Sequence, residues 1–395
     1  MRFSDLHPAR WFYFIKLPFK YWAYELIDQL ILHFIPAGKR KAILIFRLDL
    51  IGDYLMCRPF FQALSADPAF SGLPISFAGN QVLKSLAEEL DADVFSDFTW
   101  IDRPRFINSF GYRFRTLASI RRKGYSMVLY PSHTRQFWLE SLVRVCGAVQ
   151  SITASPVGRY MNDMESKLSA AWYSRVIDTG NQPMFEFYRN RLFFSSLAPA
   201  AAGINSMENT LLSRTPKQKL LLFAPGASTE ERKWPFENFA GLISRLQEML
   251  PGFSFGIIGS SAEREECSRI AESSGARVHN FAGECSLPES LRLIAGATLL
   301  VSNESSPVHM AATTGTACVV ISNGNHFSRW NPYPESLAPN ILTCYPLRFG
   351  SAQENQAELT EKYHHHSSLP AAEVPFESVL EACLRLLNGY FSVSD

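Results

Sequence analysis

Four polar turns in this chain carry side chains able to bind phosphate or move a proton. The densest is Asn303-Glu304-Ser305-Ser306-Pro307-Val308-His309, set between an apolar run at 297–301 and a small-residue run at 310–315. That pattern predicts a buried strand, a tight turn and a helix start. Amides at a helix start lack intrahelical partners, and the helix dipole adds partial positive charge, so Glu304, Ser305 and Ser306 sit where a phosphate would be held. A second site of the same kind follows residues 42–46 as Arg47-Leu48-Asp49-Leu50-Ile51-Gly52-Asp53. Asp53, beside Gly52, either accepts a proton from an incoming hydroxyl or caps its helix, and Asp49 competes for the first role.

The third turn spans 224–234. Ser228 and Thr229 offer hydroxyls after Gly226, and Lys233 stands against Trp234-Pro235. Held there, Lys233 either pins a phosphate as a point charge or begins a helix as a solvated lysine. The fourth turn runs from Gly259 to Glu263. His309 either touches phosphate or bonds its own loop, and the habit of buried histidines favours the holding role. No Gly-x-Gly-x-x-Gly follows the first strand and no Walker sequence occurs, which argues against a dinucleotide or P-loop site.

The elements that must position these turns alternate strand and helix. Strands are expected at 42–46, 75–78, 127–130 and near 151, with helices at 54–65, 81–90, 113–123 and 137–145. Residues 156–178 lack a clear period and read as loops over a cleft. Residues 185–196 return to a helical pattern, and the Ala-, Ser-, Asn- and Pro-rich stretch 199–216 reads as a linker. A second series then gives strands at 220–223, 253–258, 277–280, 298–301 and 318–321, with helices at 236–249, 262–273, 287–295 and 307–314. An amphipathic helix at 376–387 closes the chain. Such alternation predicts parallel sheets covered on both faces, with ligands beyond the carboxyl ends of the strands.

Size and composition fit this. A chain of 395 residues exceeds one compact core, and 47% hydrophobic residues suffice for two. A net charge of +1 gives no electrostatic case for nucleic acid. The seven cysteines show no zinc-like pairing and fit a reducing compartment. His364, His365 and His366 cannot all face one ion from a regular element, so no metal site is expected. Before the first strand, Trp11, Phe12, Tyr13, Phe14, Ile15, Leu17, Phe19, Tyr21, Trp22 and Tyr24 crowd together with Arg10, Lys16 and Lys20, and Lys39, Arg40 and Lys41 follow. Pro18 and the charges interrupt any span of roughly 20 apolar residues, so a transmembrane helix is not expected. No small-residue cleavage site marks a signal peptide. The segment either lies at a lipid–water interface or packs on the domain body as a helix.

Three blocks together resemble glycosyltransferase family 9, the heptosyltransferases of lipopolysaccharide assembly. They are Ile51-Gly52-Asp53-Tyr54-Leu55-Met56-Cys57-Arg58-Pro59; Gly226-Ala227-Ser228-Thr229 through Lys233-Trp234-Pro235-Phe236-Glu237-Asn238-Phe239; and Phe281-Ala282-Gly283 with Leu287, then residues 295–301, Asn303 to His309 and Trp330-Asn331-Pro332. The resemblance implies an α/β GT-B architecture of two Rossmann-like domains facing across a cleft. Residues 1–40, the aromatic and basic extension read above for a membrane surface or for packing on the domain body, fall outside the family core; on that scheme 41–205 are an acceptor domain. Residues 206–375 are a nucleotide-sugar domain, and 376–395 a helix packing back on the first domain.

The implied activity is an inverting transfer of a sugar, heptose in this family, from a nucleotide-diphosphate donor to a lipid-linked glycan such as lipopolysaccharide core. The alternative is a catalytically degenerate GT-B protein that binds a glycan or a partner. Asp53 is implied as catalytic base. Ser228, Thr229 and Lys233 would hold the donor phosphates, Glu263 the ribose, and Glu304, Ser305, Ser306 and His309 the diphosphate or sugar. No metal or cofactor is implied; the donor would be ADP-heptose or another nucleotide sugar. The expected location is cytoplasmic, peripheral on the inner face of the cell membrane. The chain departs from the family pattern at Glu304, where an aspartate is usual, and at Ser306, where a glycine is usual. The first moves a carboxylate outward by one methylene and the second narrows the approach to the backbone.

Overall fold

The computed structural model describes residues 8–39, 41–156, 161–275, 278–350 and 355–394, with side chains at 8–18, 163–164 and 390–394 left aside. The side chains of Arg10, Trp11, Phe12, Tyr13, Phe14, Ile15, Lys16 and Leu17, together with Arg40 and Arg277, therefore lie outside the described residues.

Two six-stranded sheets, parallel throughout, carry the chain. The first holds β1 (Ile43–Arg47), β2 (Ile75–Asn80), β3 (Asp97–Ile101), β4 (Met127–Tyr130), β5 (Gln150–Ala154) and β6 (Arg175–Ile177), in the order β3-β2-β1-β4-β5-β6. The second holds β7 (Gln218–Ala224), β8 (Ser254–Ile257), β9 (Val278–Asn280), β10 (Ala297–Asn303), β11 (Ala317–Ile321) and β12 (Ile341–Cys344), in the order β12-β11-β10-β7-β8-β9. Both are doubly wound. The winding direction reverses between β1 and β4 in one and between β7 and β10 in the other, where such sheets open a crevice at the strand ends. The continuous apolar runs fit this burial on both faces: β1 and β10 are buried at every position.

Contacts divide the chain into one unit of Met1–Leu50 with Ser65–Asn181 and a second of Ile51–Leu64 with Gln182–Asp395. The boundary expected at 205/206 thus falls inside the second unit. The helix Ile51–Cys57, which bears Asp53, and the helix Pro59–Ala66 join it to the chain after residue 181 through aromatic packing. Phe60 lies 5.0 Å from Phe187 and 5.7 Å from Phe194 between ring centroids, and Asn190 Nδ2 donates to the Met56 carbonyl at 3.4 Å. In the same unit the helix Phe376–Ser394 puts Val379, Leu380, Cys383 and Leu387 into the core that contains Leu299, Val301, Val319 and Ile321. The apolar spacing of those four residues suits this packing on the sheet of their own unit.

In the first unit the helix Pro8–Phe34 packs by one face. Tyr24, Ile27, Ile31 and Ile35 enter the core with Leu44, Leu117, Ile120 and Val145. Arg121 donates to the carbonyls of Leu32 and Ile35, closing the end of that helix. An opposite stripe stays exposed: Phe19 at 69%, Trp22 at 74%, Leu26 at 60% and Phe34 at 71%. Among the described residues no helix is long and apolar enough to cross a membrane.

Several elements differ from the sequence reading. The single helix expected at 54–65 is two, because Pro59 cannot donate and disfavours a helical residue before it. The expected loop region 156–178 contains the helix Asp163–Ala170, opened by an Asn162–Glu165 capping box, and strand β6. β3, β12 and the helix Gln356–Tyr363 were not anticipated; β3 is mostly half-buried and lacks a clean alternation.

Because Ile31 is fully buried, Ile31→Ala is expected to cost about 2–5 kcal/mol in chemical denaturation. A loss below about 0.5 kcal/mol would show that the N-terminal helix contributes nothing to the first unit's core.

Candidate active site

The site is built at the reversal point of the second sheet. β10 ends at Asn303, whose amide is fully buried and holds two other segments. Its Oδ1 accepts from the Trp234 backbone amide at 3.1 Å, and its Nδ2 donates to the Pro225 carbonyl at 2.5 Å. Trp234 is itself locked, its Nε1 donating to the Val374 carbonyl at 2.9 Å. The turn after β7 and the turn after β10 are thereby fixed to each other.

Glu304 follows and is buried. Its Oε1 accepts from Arg232 Nη2 at 3.2 Å, and its Oε2 accepts a short hydrogen bond from Ser322 Oγ. Burial raises its carboxyl above the usual range, while Arg232 and then Ser322 oppose that rise. Arg232 Nη2 also donates to the Glu304 carbonyl at 2.8 Å, and its Nη1 to Ser228 Oγ at 3.2 Å. Arg232 Nε is buried and has no hydrogen-bond partner among the described residues. Lys233 instead bridges two carboxylates, Glu230 at 2.8 Å and Glu266 at 3.1 Å, and the hydrogen bond to Glu230 leads in raising its pKa.

Arg232 is the residue that sequence reasoning passed over. The Trp-Pro neighbours drew attention to Lys233, yet Arg232 lies four residues after Ser228 on the short helical turn Glu230–Arg232 and meets both turns. Ser322, at the end of β11, gave no motif signal. The extra methylene of Glu304 has a visible use, since one carboxylate spans an arginine and a serine on different strand ends.

Glu263 occupies the turn after β8. Its Oε2 accepts from the Ser260 amide at 2.6 Å and hydroxyl at 2.8 Å, and its carboxylate lies against Gly226. A Cβ at Gly226 would stand 2.0 Å from Glu263 Oε1, so only glycine admits this contact. Ser228 and Thr229 are exposed on the turn. Ser305 is the N-cap of the helix Ser306–Thr314 without a side-chain cap bond to it; its Oγ donates to the Asn303 carbonyl at 3.2 Å. Ser306 begins the helix and is half-buried.

One turn along this helix, His309 makes contacts on both edges. Its Nδ1 lies 2.5 Å from the Tyr333 hydroxyl, and its Cδ2–Nε2 edge packs against Gly52. Burial, then Arg232, lowers its pKa to about 4, so the ring is neutral at pH 7. The ring thus joins Tyr333 to the turn at Gly52. These contacts also bring the first and third sequence blocks together within one unit, with Asp53 half-buried beside Gly52 in the first turn of the helix Ile51–Cys57. Asp49, the competing carboxylate, belongs to the other unit and ion-pairs with buried Arg47 at 3.2 Å. Elsewhere, His364 Nδ1 lies 3.1 Å from the Phe327 carbonyl, and no cluster of three or more potential metal-ligating residues occurs among the described residues.

Two units, each built on a doubly wound parallel sheet, give the GT-B fold. Solved structures of similar fold include an Escherichia coli ADP-heptose lipopolysaccharide heptosyltransferase II (TM-score 0.60, 16% identity, 88% of this chain and 99% of that one) and a glycosyltransferase family 9 protein from Veillonella parvula (TM-score 0.64, 15% identity, 88% and 97%). Residues 188–348 match glycosyltransferase family 9 (heptosyltransferase), which the sequence blocks also resemble.

Similar curated proteins include lipooligosaccharide heptosyltransferase 2 of Haemophilus ducreyi, 33% identical over 106 residues (26% of this chain, 30% of the relative). Another is its namesake from Campylobacter jejuni, 26% identical over 189 residues (46% and 55%). The chain thus spans between about a third and just over half the length of the curated relatives it matches.

A methyl at Gly52 would sit 2.4 Å from His309 Cδ2. Gly52→Ala is therefore expected to destabilise the second unit by about 1–3 kcal/mol, the usual scale for overpacking. The double variant Gly52→Ala/His309→Ala should recover part of that loss; a single variant as stable as the parent would show that the helix is not pressed against the ring.

Proposed function

We propose that this protein is an inverting glycosyltransferase that moves heptose from a nucleotide-diphosphate donor, ADP-heptose, to a lipid-linked glycan of the lipopolysaccharide-core kind. The observation that carries this reading is the convergence, inside a segment matched to glycosyltransferase family 9, of Gly226 to Thr229, Glu263 and Glu304 to His309 at the reversal point of one sheet. The named relatives and the heptosyltransferase folds support the same substrate class.

In this mechanism Glu263 takes the ribose hydroxyls beside Gly226. Ser228, Thr229, Ser305 and the amides at the start of the helix Ser306–Thr314 take the diphosphate oxygens. Arg232, aimed by Glu304, supplies the fixed cation through its free Nε–H, and Lys233 adds charge at the rim. Asp53 removes the proton as the acceptor hydroxyl attacks the anomeric carbon. The bond from that carbon to the phosphate oxygen breaks on the opposite face, inverting the centre and releasing the nucleoside diphosphate. Charge on the departing diphosphate is met by these groups, so the reaction as written uses no metal or cofactor.

Asp53→Asn should keep donor binding and lower turnover at least about a hundredfold. In the same calorimetric titration, Arg232→Ala should weaken the nucleotide sugar more than Lys233→Ala does. Donor binding by wild type without sugar transfer to any glycan acceptor would favour the degenerate, glycan-binding alternative. Wild-type turnover in Asp53→Asn would remove the base assignment.

The exposed stripe of the N-terminal helix supports a peripheral position on the inner membrane face, because aromatic and aliphatic side chains backed by Lys20, Lys39 and Lys41 suit anionic headgroups. The double change Phe19→Ser/Leu26→Ser should cut flotation with phosphatidylglycerol vesicles at least about tenfold without altering thermal stability. Equal flotation of both proteins would exclude this stripe as the contact.

A further inference from the structure

A cavity of about 330 Å³ lies in the first unit, and none of its lining residues is assigned above to donor binding or proton transfer. Its walls come from the N-terminal helix, from the helices Phe110–Lys123 and Phe137–Cys146, and from Leu168 and Trp172. A cavity of this size suits a small ligand rather than a peptide or an acyl chain.

The lining has three properties. First, it is aromatic. Tyr21 lies 4.0 Å from Trp138 and 5.7 Å from Phe137 between ring centroids, and Phe137 lies 5.2 Å from Trp172. Tyr21 and Trp172 remain half-exposed, so ring surface is available to an occupant. Second, its charges cancel. Arg144 grips Glu25 with two hydrogen bonds, of 2.6 and 2.9 Å, and stands 3.8 Å from Asp28; Arg113 stands 3.8 Å from Asp28 on the other side. Third, polar capacity is left over deep inside. Asp28 is only 3% exposed, yet its Oδ1 accepts no hydrogen bond, and Arg113 Nε, also buried, donates none. Such orphan groups cost stability unless a ligand pairs them.

These properties select an occupant. A phosphate would meet Glu25 and Asp28, and an ammonium would meet Arg113 and Arg144, so the balanced quartet disfavours net charge of either sign. An apolar chain would leave Asp28 Oδ1 unpaired. A neutral molecule with hydroxyls pairs a donor with Asp28 Oδ1 and an acceptor with an arginine N–H. The C–H face of its ring packs on the half-exposed aromatic faces. We infer that this cavity is a second carbohydrate site, which binds one neutral sugar ring of a glycan through Asp28, Trp172 and Tyr21. The inference does not rest on the transferase reading, because the cavity is complete within the first unit and shares no residue with the proposed reaction.

The test uses the full chain and a panel of neutral methyl glycosides (glucoside, galactoside, mannoside and N-acetylglucosaminide), read by calorimetry and by tryptophan fluorescence. At least one glycoside should bind saturably at millimolar concentration and change the emission. Asp28→Asn and Trp172→Ala should each weaken it at least about fivefold, with unchanged circular dichroism and unchanged nucleotide-sugar binding. Phe19→Ser/Leu26→Ser should leave it unaltered. No binding by any glycoside overturns the inference, as does binding that both variants retain in full. An emission change produced by phosphatidylglycerol vesicles but by no glycoside also overturns it, in favour of a lipid-facing cavity. Since Asp53→Asn leaves this cavity intact, loss of transfer with retained glycoside binding separates failure of the proposed reaction from failure of this site.

Discussion

The second unit depends on one buried amide. Asn303 has no charge to be desolvated, yet it satisfies a backbone donor at Trp234 and a backbone acceptor at Pro225 at once. An aspartate in its place could not donate, and an apolar residue could do neither, leaving two buried main-chain groups without partners at a cost of about 1–3 kcal/mol each. Everything at the candidate site hangs from this clamp. The turn after β7 is held at its start, Arg232 is delivered to Glu304 because Trp234 is pinned two residues on, and Glu304 is aimed by its position beside Asn303.

The polar layer above the clamp is over-determined. Glu304 is oriented by an arginine and a serine, and Arg232 by a carboxylate, a carbonyl and a hydroxyl. Such mutual support holds charged groups in place before any ligand arrives, so little reorganisation is left for the binding step. His309 extends the same logic. Held neutral by burial, it joins Tyr333 to the Gly52 helix without adding a charge beside Arg232.

Much of this was legible in the sequence, for physical reasons. The strands entering the turns are unbroken apolar runs, and the turns are bounded by Gly, Pro and small residues, so β1, β4, β7, β8, β10 and β11 could be placed. Short, half-exposed strands such as β3 and β6 bury too little to leave a pattern. The roles within the turns were less visible. Whether Lys233 or Arg232 faces Glu304 depends on which way a three-residue helical turn winds. The link between Gly52 and His309 joins residues more than 250 positions apart, beyond any local periodicity. Of the two readings the N-terminal helix offered, packing on the domain body is the one seen: Tyr24, Ile27 and Ile31 supply the packed face, while Phe19, Trp22 and Leu26 remain exposed.

The path of the chain between the two units has a consequence for how the molecule can be taken apart. The segment Ile51–Leu64 leaves the first unit directly after β1, packs among Phe187, Asn190 and Phe194, and then returns at Ser65 to build β2. The units are therefore not modules in series. A fragment ending at Asn181 would carry Met56, Phe60 and Phe61 without the aromatic bed that covers them, and the complementary fragment would lack both helices. Limited proteolysis between the units would release two sticky halves rather than two domains, and exchange of one half with a relative would have to carry residues 51–64 along with residues beyond 181.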